Sequence, residues 1–168
     1  DIFFDLVIWS LLFIEAELVP GLIMPQEMKD FSATLWSYLE TYPIKNASAY
    51  EEGADDDDFI EAAYLATHIA YIPTRNHRFP IYVEDSPALY LFHRENLYPV
   101  MEMGELDLIA EFVDSLRQYG CTAENDLQVR DGTRYMLGLF DKAGGSWLNH
   151  LEEGEVGPDD YDLIHKAW

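Results

Sequence analysis

The sequence predicts an all-α chain of antiparallel helical hairpins stacked as an α/α repeat. Three observations carry this. Apolar residues recur at helical spacing, and no stretch sustains the strict alternation of a strand or carries an Asn-Gly hairpin turn. Proline and glycine fall at the ends of the helical segments. A rhythm of long helix, turn and long helix returns after about 48 residues, placing Tyr64 on Phe112, Leu65 on Val113, Leu89 on Leu137 and Phe92 on Phe140. A hairpin that cannot bury its apolar face alone gains a core by stacking on a similar neighbour, so such a period points to stacked units.

The elements follow in order. The stretch "IFFDLVIWSLLFI" opens the first helix, expected over residues 2–18 and stopped by Pro20-Gly21. Asp5 interrupts its apolar run and Glu15 and Glu17 follow, so the run is too short to span a bilayer and reads as a core helix. The second helix, 26–42, starts after Pro25 and stops before Pro43, with Met28, Phe31, Leu35 and Leu39 at helical spacing. An acidic run, Asp55 to Asp58, leads into the third, 58–72, which Pro73 is expected to end. The long loop "PTRNHRFPIYVEDSP" comes next. Asp85 or Ser86 is the expected cap of the fourth helix and Pro87 its first turn; Pro99 is expected to kink or shorten it before Met103. Gly104 separates it from the fifth, "ELDLIAEFVDSLRQY", which Gly120 closes. The sixth, 124–143, ends at Gly144-Gly145, and Asp131-Gly132 reads as a break or helix start within it. Further helices are expected from Trp147 and near Pro158. Residues 1–168 read as one all-helical domain. A start at Asp1 and a stop at "LIHKAW" are expected of a fragment whose flanking repeats are missing.

Composition narrows the function classes. Apolar residues make up 49% of the chain, enough for a core. Acidic residues number 32 against 10 basic ones, a formal charge of -22, which repels phosphate backbones and argues against nucleic-acid binding. The same field suits a basic protein partner or a divalent cation, and in its simplest reading confers solubility. Cys121 is the only cysteine, so an internal disulfide is impossible and a reducing compartment, the cytoplasm, is expected. Asn46-Ala47-Ser48 fits a glycosylation acceptor triplet.

The stretch "RYMLGLFDKAGGSW", residues 134–147, resembles the QW repeat of the α/α-toroid superfamily, which holds terpene cyclases and protein prenyltransferases. Arg134 supplies the basic residue, Tyr135 the aromatic, Leu137 the leucine and Gly145-Ser146-Trp147 the ending, while Asp141 stands where the pattern has Gln. The resemblance implies a partial toroid in which helices three and five line a central cavity and helices four and six wrap them. The acidic motif of the cyclases and the zinc set of the prenyltransferases are absent from the sequence, so the resemblance implies a fold and not an activity.

Candidate chemistry gathers on helices three and five. Glu61, Tyr64, His68 and Tyr71 share one face of the third, and Asp107, Glu111, Asp114 and Gln118 share one face of the fifth. If both helices line a cavity, His68, Asp107 and Glu111 form a candidate catalytic centre or divalent-metal set, with Tyr64 and Tyr71 lining a pocket for a hydrophobic small molecule. In the simpler readings His68 is a core histidine donating to a carbonyl, and the acidic face of the fifth helix is solvated. Arg75, His77 and Arg78 form a basic patch that pairs with an anionic ligand at a cavity mouth or, more simply, with Glu84 and Asp85. The Asp55–Asp58 run is a candidate calcium loop, explained more cheaply as negative charge at a helix N-terminus. The leading expectation is a non-catalytic binding or scaffold domain with an acidic surface. Its rivals are an enzyme or ligand binder centred on His68 and the carboxylates, and a divalent-cation binder.

Overall fold

The computed structural model of the chain describes residues 2–49 and 56–142. Among these the secondary structure is helical and no strand occurs. The elements are α1 (Ile2–Ala16), α2 (Gln26–Leu39), α3 (Asp56–Thr74), α4 (Pro87–Met103), α5 (Leu106–Gln118) and α6 (Leu127–Lys142), with one 3₁₀ turn at Ala47–Ala49. The helices expected beyond Trp147, the Gly144-Gly145 stop, the Gly145-Ser146-Trp147 ending of the QW-like stretch and Asp55 lie outside the described residues.

Cross-helix pairs give each helix its direction. Ser10 Oγ donates to Ser32 Oγ at 2.7 Å, and the rings of Phe3 and Tyr42 pack 5.2 Å apart, so α2 runs back along α1. Tyr64 meets Asp107 and His68 meets Glu111, both advancing along the chain, so α5 runs parallel to α3. Phe4 packs on His68 and Glu15 binds Asn76, which sets α1 parallel to both. Arg94 meets Asp126 and Tyr98 meets Asp131, making α4 and α6 parallel. The molecule is therefore a stack of hairpins in which α1, α3 and α5 point one way. The core between them is closed by Phe59, Ile69, Leu97, Leu108, Phe112 and Leu116, each less than 2% exposed. Among the described residues no helix is long and apolar enough to cross a membrane.

Pro73 ends its helix as expected, whereas packing overrides local rules at Pro99 and at Asp131-Gly132. Pro73 lies inside α3, which closes one residue later at Thr74. The Thr74 hydroxyl bonds back to the carbonyls of Ala70 and Tyr71 at 3.1 and 3.2 Å, local bonding that a serine or threonine can offer a helix end. Pro99 does not shorten α4, which continues to Met103. A proline inside a helix costs about 3 kcal/mol, and its neighbours Leu97 and Val100 are fully buried, an anchorage of roughly 1.5–3 kcal/mol per side chain that holds the helix through it. Asp131-Gly132 is neither a break nor a start but lies within α6. A Cβ on Gly132 would stand 2.5 Å from Val113 Cγ2, so the missing side chain is what lets α6 approach α5.

The helix ends are set by short-range chemistry. The Val129 amide donates to Asp126 Oδ1 at 3.0 Å, a cap that starts α6 at Leu127 rather than at 124. Asp126 also binds Arg94 Nη1 at 2.5 Å. Replacing Asp126 by Ala is expected to lower stability by about 1 kcal/mol through the cap and to release Arg94 as well. Asp126→Asn keeps a capping oxygen and is expected to lose less. Thermal unfolding of the two variants checks this, and equal losses would show that the cap contributes nothing. Ser86 occupies the N-cap position of α4, yet its hydroxyl pairs with Tyr119 OH at 2.6 Å instead of capping. Asn46 Oδ1 accepts from Asn96 Nδ2 at 3.1 Å and its own amide donates to Glu95, so the side chain of the Asn46-Ala47-Ser48 triplet ties the segment before α3 to α4.

The helix directions also sort the charge. The N-terminal ends of α1, α3 and α5 share one end of the bundle with the C-terminal ends of α2 and α4. That end carries Asp5, Glu40, Glu61, Glu102, Glu105 and Asp107. Arg75, Arg78 and Arg117 lie at the opposite end, where α3 and α5 finish, together with the acidic residues Glu15, Glu17, Glu27, Asp30, Glu84, Asp85 and Glu124; there Arg75 and Arg78 pair with Glu17 and Glu15.

Candidate functional site

The seam between α3 and α5 holds the polar groups that the sequence singles out. Parallel helices advance together, so residues three or four apart on one meet residues four apart on the other. The seam is thereby built in layers.

In the first layer Tyr64 OH donates to Asp107 Oδ2 at 3.3 Å. Burial raises the Tyr64 phenol well above its ordinary pKa, and the nearby carboxylates of Asp107, Glu111 and Glu105 raise it further, so it stays a neutral donor. In the second layer the Thr67 hydroxyl donates to Glu111 Oε2 at 2.5 Å. His68 Nδ1 donates to the Tyr64 carbonyl at 2.8 Å and lies 3.7 Å from the same Glu111 oxygen. The His68 ring sits between Phe4 and Tyr71, with centroids 5.0 and 5.5 Å away. In the third layer His77 Nδ1 lies 2.9 Å from Asp114 Oδ2, which also accepts from Gln118 Nε2 at 2.9 Å. The Tyr71 and His77 rings pack at 4.7 Å and link the second and third layers.

The structure thus brings His68 beside Glu111 and places Asp107 one helical turn away, bonded to Tyr64. Glu111 is 2% exposed and His68 8%, so this part of the acidic face of α5 is core rather than solvated surface. Among the described residues no group of three His, Cys, Asp or Glu side chains is arranged to hold a metal ion; of the expected set, His68 and Glu111 meet, while Asp107 is bonded to Tyr64. The two carboxyls are engaged by different partners, Asp107 by the Tyr64 phenol and Glu111 by the Thr67 hydroxyl. α3 begins at Asp56, and the carboxyl of Asp58 lies in its first turn, where negative charge suits the positive end of the helix dipole.

The basic loop pairs differently from expectation. Arg75 binds Glu17, Arg78 Nη2 binds Glu15 Oε1 at 2.8 Å, and His77 reaches Asp114, rather than the nearby Glu84 and Asp85 that the sequence offered for Arg75 and Arg78. The cause is a turn in which Arg75, Asn76 and His77 all take left-handed backbone conformations, with φ of 48°, 58° and 66°. Such residues each cost on the order of 1–2 kcal/mol, and the contacts to α1 and α5 hold them there. No glycine marks this turn in the sequence; its signal is Asn76-His77, two residue types that enter the left-handed region more readily than most.

Sequence reasoning also missed Thr67 and Phe4. Thr67 is detectable in principle, since it lies three residues after Tyr64 on the same helix face; Phe4 comes from a different hairpin. A cavity of about 250 Å³ opens beside the seam at the acidic end of the bundle, lined by Phe4, Glu61, Tyr64 and Leu65. On the far side of α5, His93 is wholly buried, with Nδ1 bonded to the Leu89 carbonyl at 2.8 Å and its ring 5.0 Å from that of Phe112. Burial drives its pKa down to about 4. In comparisons with known proteins, the chain matches no family model, no curated protein and no solved structure.

Proposed function

We propose that the chain is a helical-hairpin binding domain that docks a basic protein partner on the acidic end of its bundle. In this reading α1, α3 and α5 form the inner layer of an α/α repeat or partial toroid, and α2, α4 and α6 the outer one. The observation that carries it is the placement of Glu40 and Glu102. Acidic residues at the starts of α3 and α5 complement the helix dipoles, but Glu40 caps the C-terminus of α2 and Glu102 lies in the last turn of α4. Negative charge is disfavoured there by the dipole, so local helix stability does not account for it, whereas a cationic partner does.

Binding is favoured over catalysis because the pair nearest to an acid–base couple, His68 and Glu111, is sealed in the core. A hydrophobic small molecule is a poorer fit than a protein side chain. Clefts for drug-sized ligands run about 300–1,000 Å³, and the cavity is about 250 Å³.

Calorimetric titration of the full chain with a lysine- and arginine-rich peptide tests the reading. Binding is expected at low ionic strength and is expected to weaken as salt rises. Reversing charge at the acidic end with Glu102→Lys and Glu105→Lys is expected to weaken it further, and reversing Glu84 and Asp85 at the opposite end is not. No heat with the basic peptide at low salt, or equal losses from both reversals, overturns the proposal.

A further inference from the structure

We infer that the cavity between α1 and α3 receives the alkylammonium side chain of a lysine carried by the basic partner; this rests on the reading of the acidic end as a docking surface. The four lining residues supply what such a side chain needs. Phe4 and Leu65 offer an apolar wall to a four-carbon stem, which prefers to lie along apolar surface while its charged head stays at a polar rim. Glu61 is exposed on the same face of α3, one turn before Leu65, and among the described residues it takes part in no salt bridge. Phe4 and Tyr64 add ring faces whose quadrupoles attract a cation.

The site is also preorganised. The bond from Tyr64 OH to Asp107 fixes the tyrosine at one side of the cavity, and the packing of Phe4 on His68 fixes the phenylalanine at the other. Asp107 accepts from the Tyr64 hydroxyl and so adds a second carboxyl near the cavity. The volume suits one extended side chain. A single carboxylate at the rim matches the point charge of an ammonium rather than the two-pronged guanidinium of arginine, which is best satisfied by a bidentate partner.

The test uses the full chain with hexalysine, hexa-arginine and fully acetylated hexalysine as probes, read by calorimetry and by the methyl resonances of Leu65. Hexalysine is expected to bind and to shift Leu65, and its acetylated form to do neither. Glu61→Gln is expected to weaken hexalysine about tenfold, against less than about threefold for Glu102→Gln, a loss of charge at the same end but outside the cavity. Equal losses in the two variants, or unmoved Leu65 methyls with hexalysine bound, overturn the cavity assignment while the docking surface stands. Hexa-arginine binding more tightly with the same Leu65 shift overturns the choice of lysine. Failure of hexalysine and hexa-arginine alike to bind at low salt overturns both proposals.

Discussion

Lowering the pH from about 7 to about 5 is expected to cost the folded chain about 2 kcal/mol through His93 alone. The side chain has no exposed surface, and its one polar contact is the 2.8 Å bond from Nδ1 to the Leu89 carbonyl. Phe92 and Phe112 pack against the ring, and Nε2 has no hydrogen-bond partner among the described residues. A proton added there would create a buried charge and a donor with no acceptor. Burial therefore holds the folded pKa at about 4, below the ordinary 6.5. As the pH falls, the unfolded chain takes up this proton before the folded one. The contribution is complete above about pH 6.5 and is lost as the pH drops toward 4, reaching roughly 3 kcal/mol. Urea unfolding of the wild type and of His93→Leu at a series of pH values between 7 and 5 isolates the effect, because His68, His77 and the carboxylates are common to both proteins. The leucine variant is expected to lose less stability on acidification. Parallel losses would show that His93 is not the sensor.

Gly132→Val is expected to destabilise the chain by about 2–3 kcal/mol. Valine is only slightly better than glycine in a helix, by less than about 0.5 kcal/mol, so the packing term decides the sign. The new Cβ would begin 2.5 Å from Val113 Cγ2, and Leu97 stands 3.8 Å away on a second side. Val113 is 3% exposed and lies in a helix, where a β-branched side chain has essentially one rotamer, so it cannot swing aside. Either α6 lifts from α5 or both side chains are strained. Gly132→Ala sets a smaller clash against a larger gain in helix propensity, about 1 kcal/mol, and is expected to be milder. A double-mutant cycle with Val113→Ala checks the cause. The combined variant is expected to be more stable than the sum of the single losses by about 1 kcal/mol or more. Strict additivity would mean that the two residues do not compete for the same space.

The six described helices were largely legible in the chain, since their edges are written in local chemistry. Pro25 and Pro87 open helices, Gly104 and Gly120 close them with left-handed φ near 83–84°, and the apolar spacing between them has one period. The meeting of His68 with Glu111 and of Tyr64 with Asp107 was legible in outline, because helical periodicity alone puts each set on one face. Their environment was not. The same spacing describes a solvated face or a sealed seam, and only the third helix packed against α5 decided that Glu111 is core.

Where local rules and packing compete, the sequence misled. Pro99 and Asp131-Gly132 carry the marks of helix breaks, yet Leu97 and Val100 on one side and the close approach to Val113 on the other keep both helices continuous. The left-handed turn at Arg75–His77, the wall contributed by Phe4 and the pairing of His77 with Asp114 join residues far apart in the chain. By itself the sequence determined the helices, their stacking as hairpins and the excess of negative charge, because these depend on near neighbours and on composition. The direction of each helix, and with it the gathering of Arg75, Arg78 and Arg117 at one end and the cavity beside Glu61, was decided only in three dimensions, since burial is a property of which surfaces meet.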